Sequence, residues 1–106
     1  MSPPDISPDQ LRGFARFFYA LKDPLRLRIL LALIRAGEMT VTELTRTVRV
    51  SQPLVSWHLG RLRAAGLVRV ERDGRVARYS VAVDKIRHLL SSFEELLASI
   101  SPGEKT

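Results

Sequence analysis

The sequence predicts one small domain, mainly α-helical with a single β-hairpin (an α+β fold), and three observations support this. Two segments with helix-capping residues follow each other closely, at residues 40–48 and 51–65. A strand-rich stretch with an Asp-Gly pair at its centre comes next and favours a tight hairpin. Amphipathic segments flank this unit on both sides. Helix, turn, helix and hairpin in this order predict a winged helix-turn-helix.

The first two helices are predicted from their start and stop signals. Pro8 begins the first helix, because proline is tolerated in an opening turn. Asp23 is the expected N-cap of the second helix, Pro24 its first residue and Gly37 its end. We expect the apolar face of this second helix to lie at the centre of the core; it consists of Leu27, Leu30, Leu31 and Ile34.

The next two helices form the predicted helix-turn-helix. Thr40 and Glu43 have capping-box spacing, so a helix should begin there. Ser51 offers a second N-cap, and the helix that follows should run to Ala65 and end at Gly66. The inward residues of the first of these helices are Leu44 and Val48.

Helical spacing separates the two faces of residues 51–65. Val55, Leu59 and Leu62 fall within a narrow arc and should face the core. His58 lies at the boundary, and we interpret it as a structural hydrogen-bonding residue, with contact to a DNA base as the alternative. The opposite face carries Pro53, Ser56, Trp57, Gly60 and Arg61, with Gln52 and Arg63 at its edge.

A basic hairpin is predicted after these helices. Its strand-like residues are Leu67, Val68, Val70, Val76, Tyr79, Val81 and Val83, and the turn is expected at Asp73-Gly74. Arg75 should lie at the tip of this wing, with Arg72 and Arg78 on its flanks.

The last helix is predicted to carry a subunit interface. Asp84 is its expected cap, and its apolar residues step by three and four like the seam of a coiled coil. We expect a homodimer in which this helix pairs with the first helix; packing within one chain is the alternative. The interface residues are Leu11, Phe14 and Phe18 with Ile86, Leu89, Leu90, Phe93, Leu96, Leu97 and Ile100. The folded domain then covers residues 8–100, with flexible ends at 1–7 and 101–106.

Composition restricts the function. The net charge is +6, and residues 51–80 carry six arginines against two acidic residues, so +4 of it (6 − 2) is concentrated there. A polyanionic partner suits this distribution. The sequence contains no cysteine, which excludes disulfides and thiolate metal sites. It has neither an apolar run of about 20 residues nor a signal-peptide pattern, so we expect a cytoplasmic protein without a membrane partner.

The outward face of residues 51–65 suits the major groove of double-stranded DNA. Glutamine can pair bidentately with adenine, and arginine with guanine or phosphate. Trp57 is expected to pack on a thymine methyl or a sugar, while the wing arginines contact phosphates around the minor groove. The alternatives are that Arg61 and Arg63 are ordinary solvated charges and that Trp57 packs against the wing or the first helix.

Three stretches resemble the ArsR family of winged-helix repressors: ALKDPLRLRILLAL, VSQPLVSWHLGRLRAAGLV and RDGRVARYSV. They cover roughly Tyr19 to Val83, and their combination is specific. The resemblance implies a homodimer joined by its first and last helices. It also implies binding to an imperfect inverted repeat and repression of a promoter.

The chain departs from that family at its metal sites. Many members bind metal through a CVC motif, but the matching segment here is EMTVTEL, with Thr40 and Thr42 at the thiolate positions. Threonine is a poor ligand for soft metals. In the second family site Asp84 is kept, but Ile86 replaces the expected histidine, and Leu97 and Ile100 fill the far end; only His88 remains nearby. We therefore expect no bound metal and no cofactor.

The effector is left open by the sequence: a small molecule, a protein, or none. An aromatic cluster at the predicted interface could hold an apolar ligand, although plain packing is the favoured interpretation; it comprises Phe14, Phe17, Phe18, Tyr19 and Phe93. The predicted function is that of a homodimeric, sequence-specific DNA-binding repressor. The alternative is a winged-helix module that binds an acidic protein. With two histidines on different elements and no paired inward carboxylates, an enzyme is not expected.

Overall fold

A computed structural model describes residues 6–99 of the chain, as five helices and one two-stranded antiparallel sheet. No helix in this part is long and apolar enough to span a bilayer. The predicted winged helix-turn-helix is confirmed. Its elements are α1 (Pro8–Leu21), α2 (Pro24–Ala36), α3 (Val41–Val48), α4 (Gln52–Ala64), β1 (Val68–Asp73), β2 (Val76–Val81) and α5 (Val83–Ala98).

The first three helices begin at side-chain caps. Ser7, which we expected in a flexible N-terminal segment, forms a capping box with Gln10 at the start of α1. The Asp23 carboxylate accepts the backbone N–H of Leu25 at 2.8 Å, which caps α2 as predicted. The predicted capping box of Thr40 with Glu43 starts α3. Local sequence therefore fixes where these helices begin.

The start of α5 differs from the prediction. Ala82, not Asp84, occupies the N-cap position, and no side chain caps this helix. The Ala82 N–H donates to the carbonyl of Leu67 at 2.9 Å, so the chain passes from β2 into α5 without a loop. Val83, expected in the strand, is consequently helical. Asp84 lies in the first turn of α5 and pairs with Arg69 instead.

The inward face of α2 also differs from the prediction. Only Leu30 of its four expected core residues is buried, whereas Leu27, Leu31 and Ile34 are 42%, 54% and 53% exposed. The face that is buried consists of Arg26, Ile29, Leu30 and Leu33. The apolar residues of α2 surround most of the helix, so their spacing alone does not identify the buried side.

The hairpin packs against the helical core through its first and last residues. Val68 pairs with Val81, and both are buried. Leu67, predicted as a strand residue, lies just before β1 and is fully buried. The turn consists of Gly74 and Arg75 rather than Asp73-Gly74, and Gly74 adopts a φ of +64° that glycine tolerates without strain.

A short third pairing joins the hairpin to the segment before α3. Met39 and Tyr79 exchange two backbone hydrogen bonds, of 2.9 and 2.8 Å. The sequence did not predict this bridge, because one paired residue has no periodicity. It fixes the base of the wing against the α2–α3 connection, so the wing and the helix-turn-helix are held in one orientation.

Candidate nucleic-acid interface

The outer face of α4 is polar, aromatic and basic. Its inner face is anchored by Val55, Leu59 and Leu62, each at most 1% exposed, which confirms the predicted orientation. Within residues 6–99, apart from its chain neighbours and the backbone of α4 itself, no atom lies within 4 Å of where a Cβ on Gly60 would stand, so packing does not require glycine there. Every predicted DNA-contacting residue of α4 is exposed: Gln52, Pro53, Ser56, Trp57, Arg61 and Arg63.

The N-terminal end of α4 is open. Ser51 occupies the predicted N-cap position, but its side chain makes no capping hydrogen bond. The first-turn N–H groups of a helix have no partner within the helix, and the helix dipole makes this end positive. Such an end suits a phosphate oxygen. Because Arg49 adopts left-handed backbone, the chain turns sharply between α3 and α4, as a helix-turn-helix requires.

Trp57 is half exposed, at 51%, and lies against two guanidinium groups. The Arg61 carbon Cζ is 4.8 Å from the ring centroid, and the Arg26 carbon Cζ is 5.5 Å from it. Trp57 stacks on these arginines from α4 and α2, whereas our alternative had it packed on the wing or the first helix. The distances suit cation–π attraction, so Arg61 is more than an unattached solvated charge.

His58 is more deeply buried than its predicted boundary position, at 5% exposure. Its Nδ1 accepts a hydrogen bond from Nε of Arg26 at 3.0 Å, so its role is structural, as expected. Sequence reasoning missed Arg26, which is also 5% exposed. One signal was present: Arg26 precedes Ile29 by three residues and Leu33 by seven, in phase with the buried face of α2.

The wing arginines do not form a single row. Arg75 occupies the turn at the tip, as predicted. Arg72 lies opposite Ala77, and Arg78 lies opposite Glu71. Because side chains alternate along a strand, Arg72 and Arg78 extend from opposite faces of the hairpin. Arg78 is also 4.0 Å from a carboxylate oxygen of Glu38. Arg75 and Arg72 are therefore the wing arginines without an acidic side chain opposite.

One arginine of the basic segment is neutralised. A single nitrogen of Arg69 donates to both carboxylate oxygens of Asp84, at 2.8 and 2.9 Å. This hydrogen bond, assisted by the positive charge of Arg69, holds the pKa of the Asp84 carboxyl below its ordinary value. Arg69 thus links β1 to α5 and leaves the exposed arginines of α4 and of the wing tip to provide the positive potential.

The residues predicted for the subunit interface divide into two groups. Phe14 is buried, and Phe93 packs edge-on against Phe14 and Phe18 with centroid distances of 5.4 and 4.9 Å. Ile86, Leu89 and Leu96 are likewise partly covered by their own chain. The second group is about half exposed: Leu11 (58%), Phe18 (40%), Leu90 (48%) and Leu97 (49%). Ile100 lies outside the described residues.

No three histidine, cysteine or acidic side chains within residues 6–99 lie close enough together to hold a metal ion. Thr40, at a thiolate position of the family motif, uses its hydroxyl to accept the N–H of Glu43. The backbone N–H of Thr40 in turn donates to the Glu43 carboxylate and is the main reason that the pKa of this carboxyl is lowered. The site of the family motif is thus occupied by a helix cap.

Comparison with known proteins places these features in context. Residues 23–70 match the family described as "Bacterial regulatory protein, arsR family". The chain is 45% identical over 76 residues to a probable mercury resistance operon repressor of Streptomyces lividans, covering 72% of this chain and 60% of that protein. It is 40% identical over 89 residues to the transcriptional repressor SmtB homolog of Synechocystis sp., covering 84% of this chain and 67% of the homolog.

A solved structure agrees with the fold. The ArsR-like transcriptional regulator from Rhodococcus sp. RHA1 superposes with a TM-score of 0.79 at 30% identity, covering 85% of this chain and 84% of the regulator. A likeness over 85% of the chain extends beyond the helix-turn-helix of α3 and α4.

Proposed function

The chain belongs to the arsR family of bacterial regulatory proteins, and from this premise we propose that it is a sequence-specific DNA-binding transcriptional repressor. Two of its relatives are named as repressors. The observation that carries the proposal is the outer face of α4, where glutamine, serine, tryptophan and arginine side chains stand exposed beside a basic wing tip.

In this proposal α4 lies in the major groove. Gln52 and Ser56 read base edges, because amide and hydroxyl groups both donate and accept hydrogen bonds there. Trp57 contacts a thymine methyl or a sugar. Arg61 and Arg63 bind guanine or phosphate, and the open first turn of α4 receives a phosphate oxygen. Arg72, Arg75 and Arg78 contact the backbone from the wing, which strengthens binding without reading sequence.

We further propose that the protein acts as a homodimer in the cytoplasm. The uncovered side chains of Leu11, Phe18, Leu90 and Leu97 support an interface formed by α1 and α5. A two-fold symmetric dimer presents two α4 helices, so its operator would be an inverted repeat with half-sites about one helical turn apart. Occupying that operator blocks a promoter. No metal or other cofactor takes part.

Fluorescence anisotropy tests the proposal directly. The protein is titrated into labelled duplexes from the promoter of its own operon and into a scrambled duplex of equal length, at near-physiological salt. Preference for one duplex by at least a few hundredfold, near the lower end of the ~10³–10⁷ typical of specific recognition, is the expected result. Equal weak binding calls for selection from random DNA. Failure of that selection would reject sequence-specific binding and leave an acidic protein partner as the explanation of the basic face.

A further inference from the structure

A buried arginine connects α2 to the DNA-facing helix. Arg26 is 5% exposed; its Nε donates to Nδ1 of His58 at 3.0 Å, and one Nη donates to the carbonyl of Ala20 at 3.4 Å. Removing a guanidinium from water is costly unless it is hydrogen-bonded. The Arg26–His58 contact is therefore an important part of what makes this burial tolerable, and it spans 32 residues of sequence.

The contact requires one protonation form of His58. A guanidinium has no acceptor, so Nδ1 of His58 must offer a lone pair, and that nitrogen must be unprotonated. Addition of a proton at Nδ1 would abolish the hydrogen bond and place a second positive charge about 3 Å from the first. Histidine is the side chain that ordinarily changes its charge between pH 5 and 8.

Three charged side chains near His58 bear on what its protonation would do: Arg26, Arg61 and Asp23. Arg26 donates to it from α2, and Arg61, on α4 itself, lies against the neighbouring Trp57 ring. Asp23, at the start of α2, faces both Arg26 and His58. Desolvation tends to raise the pKa of the Asp23 carboxyl, but hydrogen bonds from Leu25 and Arg26 and the nearby positive charges outweigh this and lower it. Asp23 thus stays ionised across the range in which histidine titrates.

Trp57 lies close to both members of this pair. Its ring centroid is 5.0 Å from that of His58, with the rings edge-on at 78°, and 5.5 Å from Cζ of Arg26. We propose that Arg26 and His58 are positioning residues that fix α4 and Trp57 for DNA recognition, and that protonation of His58 releases them, so that sequence preference falls in mildly acidic solution. This inference rests on the proposed function, although the release itself does not depend on DNA.

The first test uses the free protein. Trp57 is the only tryptophan, so the tryptophan fluorescence can be assigned to it. His58 and His88 are the only histidines, so removing one of them assigns the histidine titration to the other. Between pH 8 and 5 we expect Trp57 emission to follow a one-proton transition in the wild type and in His88→Gln, and to be flat in His58→Gln. Since His88→Gln leaves one histidine, its NMR titration reports His58 even if His58→Gln fails to fold.

Arg26 provides the second arm. Arg26→Gln removes the positive charge that opposes protonation, so the transition should move to higher pH. Arg26→Lys keeps the charge but not the guanidinium geometry. The pH midpoint of this variant should therefore be closer to that of the wild type than the midpoint of Arg26→Gln is, whereas its Trp57 emission at pH 8 should be restored less completely. An unshifted transition in Arg26→Gln would overturn the coupling.

The third arm measures DNA binding at the same pH values. Preference for the selected duplex over a scrambled one should fall about tenfold between pH 8 and 5.5 in the wild type, within the usual range of coupling between sites, and should be nearly constant in His58→Gln. If Trp57 emission changes with pH but no duplex is preferred at any pH, the proposed function is rejected and the coupling of Trp57 to His58 is retained. Constant emission from pH 8 to 5 in the wild type would overturn the release of Trp57 by protonation of His58.

Discussion

Helices α4 and α5 differ in how much of their surface their own chain buries. Helix α4 buries Val55, His58, Leu59 and Leu62. Helix α5 is longer and has no buried residue, and its Leu90 and Leu97 are each about half exposed. The core-facing residues of α4, the proposed DNA-binding helix, are thus covered within a single chain, whereas α5 has apolar surface that its own chain does not cover.

Helix α1 has both buried and exposed apolar residues. Phe14, Phe17 and Ala20 are buried, while Leu11 and Phe18, which lie on the same side of the helix as Phe14, are 58% and 40% exposed. The aromatic contacts of Phe14 and Phe18 with Phe93 join α1 to α5 within one chain. These contacts account for most of the aromatic cluster by packing alone. The half-exposed apolar residues of both helices are the ones that we propose to contact a second copy, and the following variants test this division.

The largest expected effect is on stability, and it concerns the buried face of α4. Leu59→Ala leaves a cavity beneath α4 and should lower the free energy of unfolding by about 2–5 kcal/mol. Leu90→Ala, on the half-exposed face of α5, should cost the single chain much less. Urea unfolding at protein concentrations low enough to avoid association compares the two. If both variants lose a similar free energy of unfolding, then α5 is buried by its own chain as fully as α4 is, which would contradict the comparison.

The next effect is on association. Leu90→Asp places a carboxylate on the proposed interface, twice in a symmetric dimer, and should raise the dimer dissociation constant at least about tenfold per carboxylate. Ile34→Asp is the control, because Ile34 is 53% exposed on α2 and outside the proposed interface. Sedimentation velocity distinguishes the outcomes. A Leu90→Asp protein that stays dimeric, or an Ile34→Asp protein that dissociates, would relocate the interface.

The sequence predicted the buried face of α4 but not that of α2. In α4 the spacing identified Val55, Leu59 and Leu62 as the buried set, and Trp57 was correctly directed outward. In α2 apolar residues occur all round, so the same reasoning chose Leu27, Leu31 and Ile34, which are exposed. A buried cation such as Arg26 is beyond this reasoning, because its hydrogen-bond partner lies 32 residues away. Positions set by such distant contacts become visible only in the folded chain.

Within the proposed DNA-binding surface, substitutions in α4 should change sequence preference, whereas substitutions in the wing should change affinity for every duplex. Gln52→Ala removes a proposed base contact and should cost about 1–3 kcal/mol at particular base pairs of the operator, with little change on scrambled DNA. Anisotropy with single-base operator variants identifies those positions, because the alanine protein should no longer distinguish them. Equal losses on operator and scrambled duplexes would show that Gln52 does not read sequence.

Arg75→Ala should instead weaken binding to every duplex. Arg75 stands at the wing tip, and loss of one phosphate contact should reduce the slope of log affinity against log salt by about one. Arg35→Ala, on the outer face of α2, removes the same charge away from the proposed interface and should leave the slope nearly unchanged. Titrations at four salt concentrations give both slopes. An unaltered slope in Arg75→Ala would remove the wing tip from the interface.

The smallest effect concerns the ion pair that joins the wing to α5. Because the hydrogen bond from Arg69 lowers the folded-state pKa of Asp84 below its ordinary 3.8, the pair stabilises the fold above that pH and loses its effect as the pH falls. The pair is exposed, so the gain is modest. Asp84→Asn should be slightly less stable than the wild type at pH 6 and should approach it by pH 3, as measured by urea midpoints. Arg69→Gln, which removes the other partner, should show the same convergence. A stability difference independent of pH would mean that Asp84 acts by helix packing and not by its charge, and the wing would then be held to the helical core by Met39, Tyr79 and the buried ends of the hairpin alone.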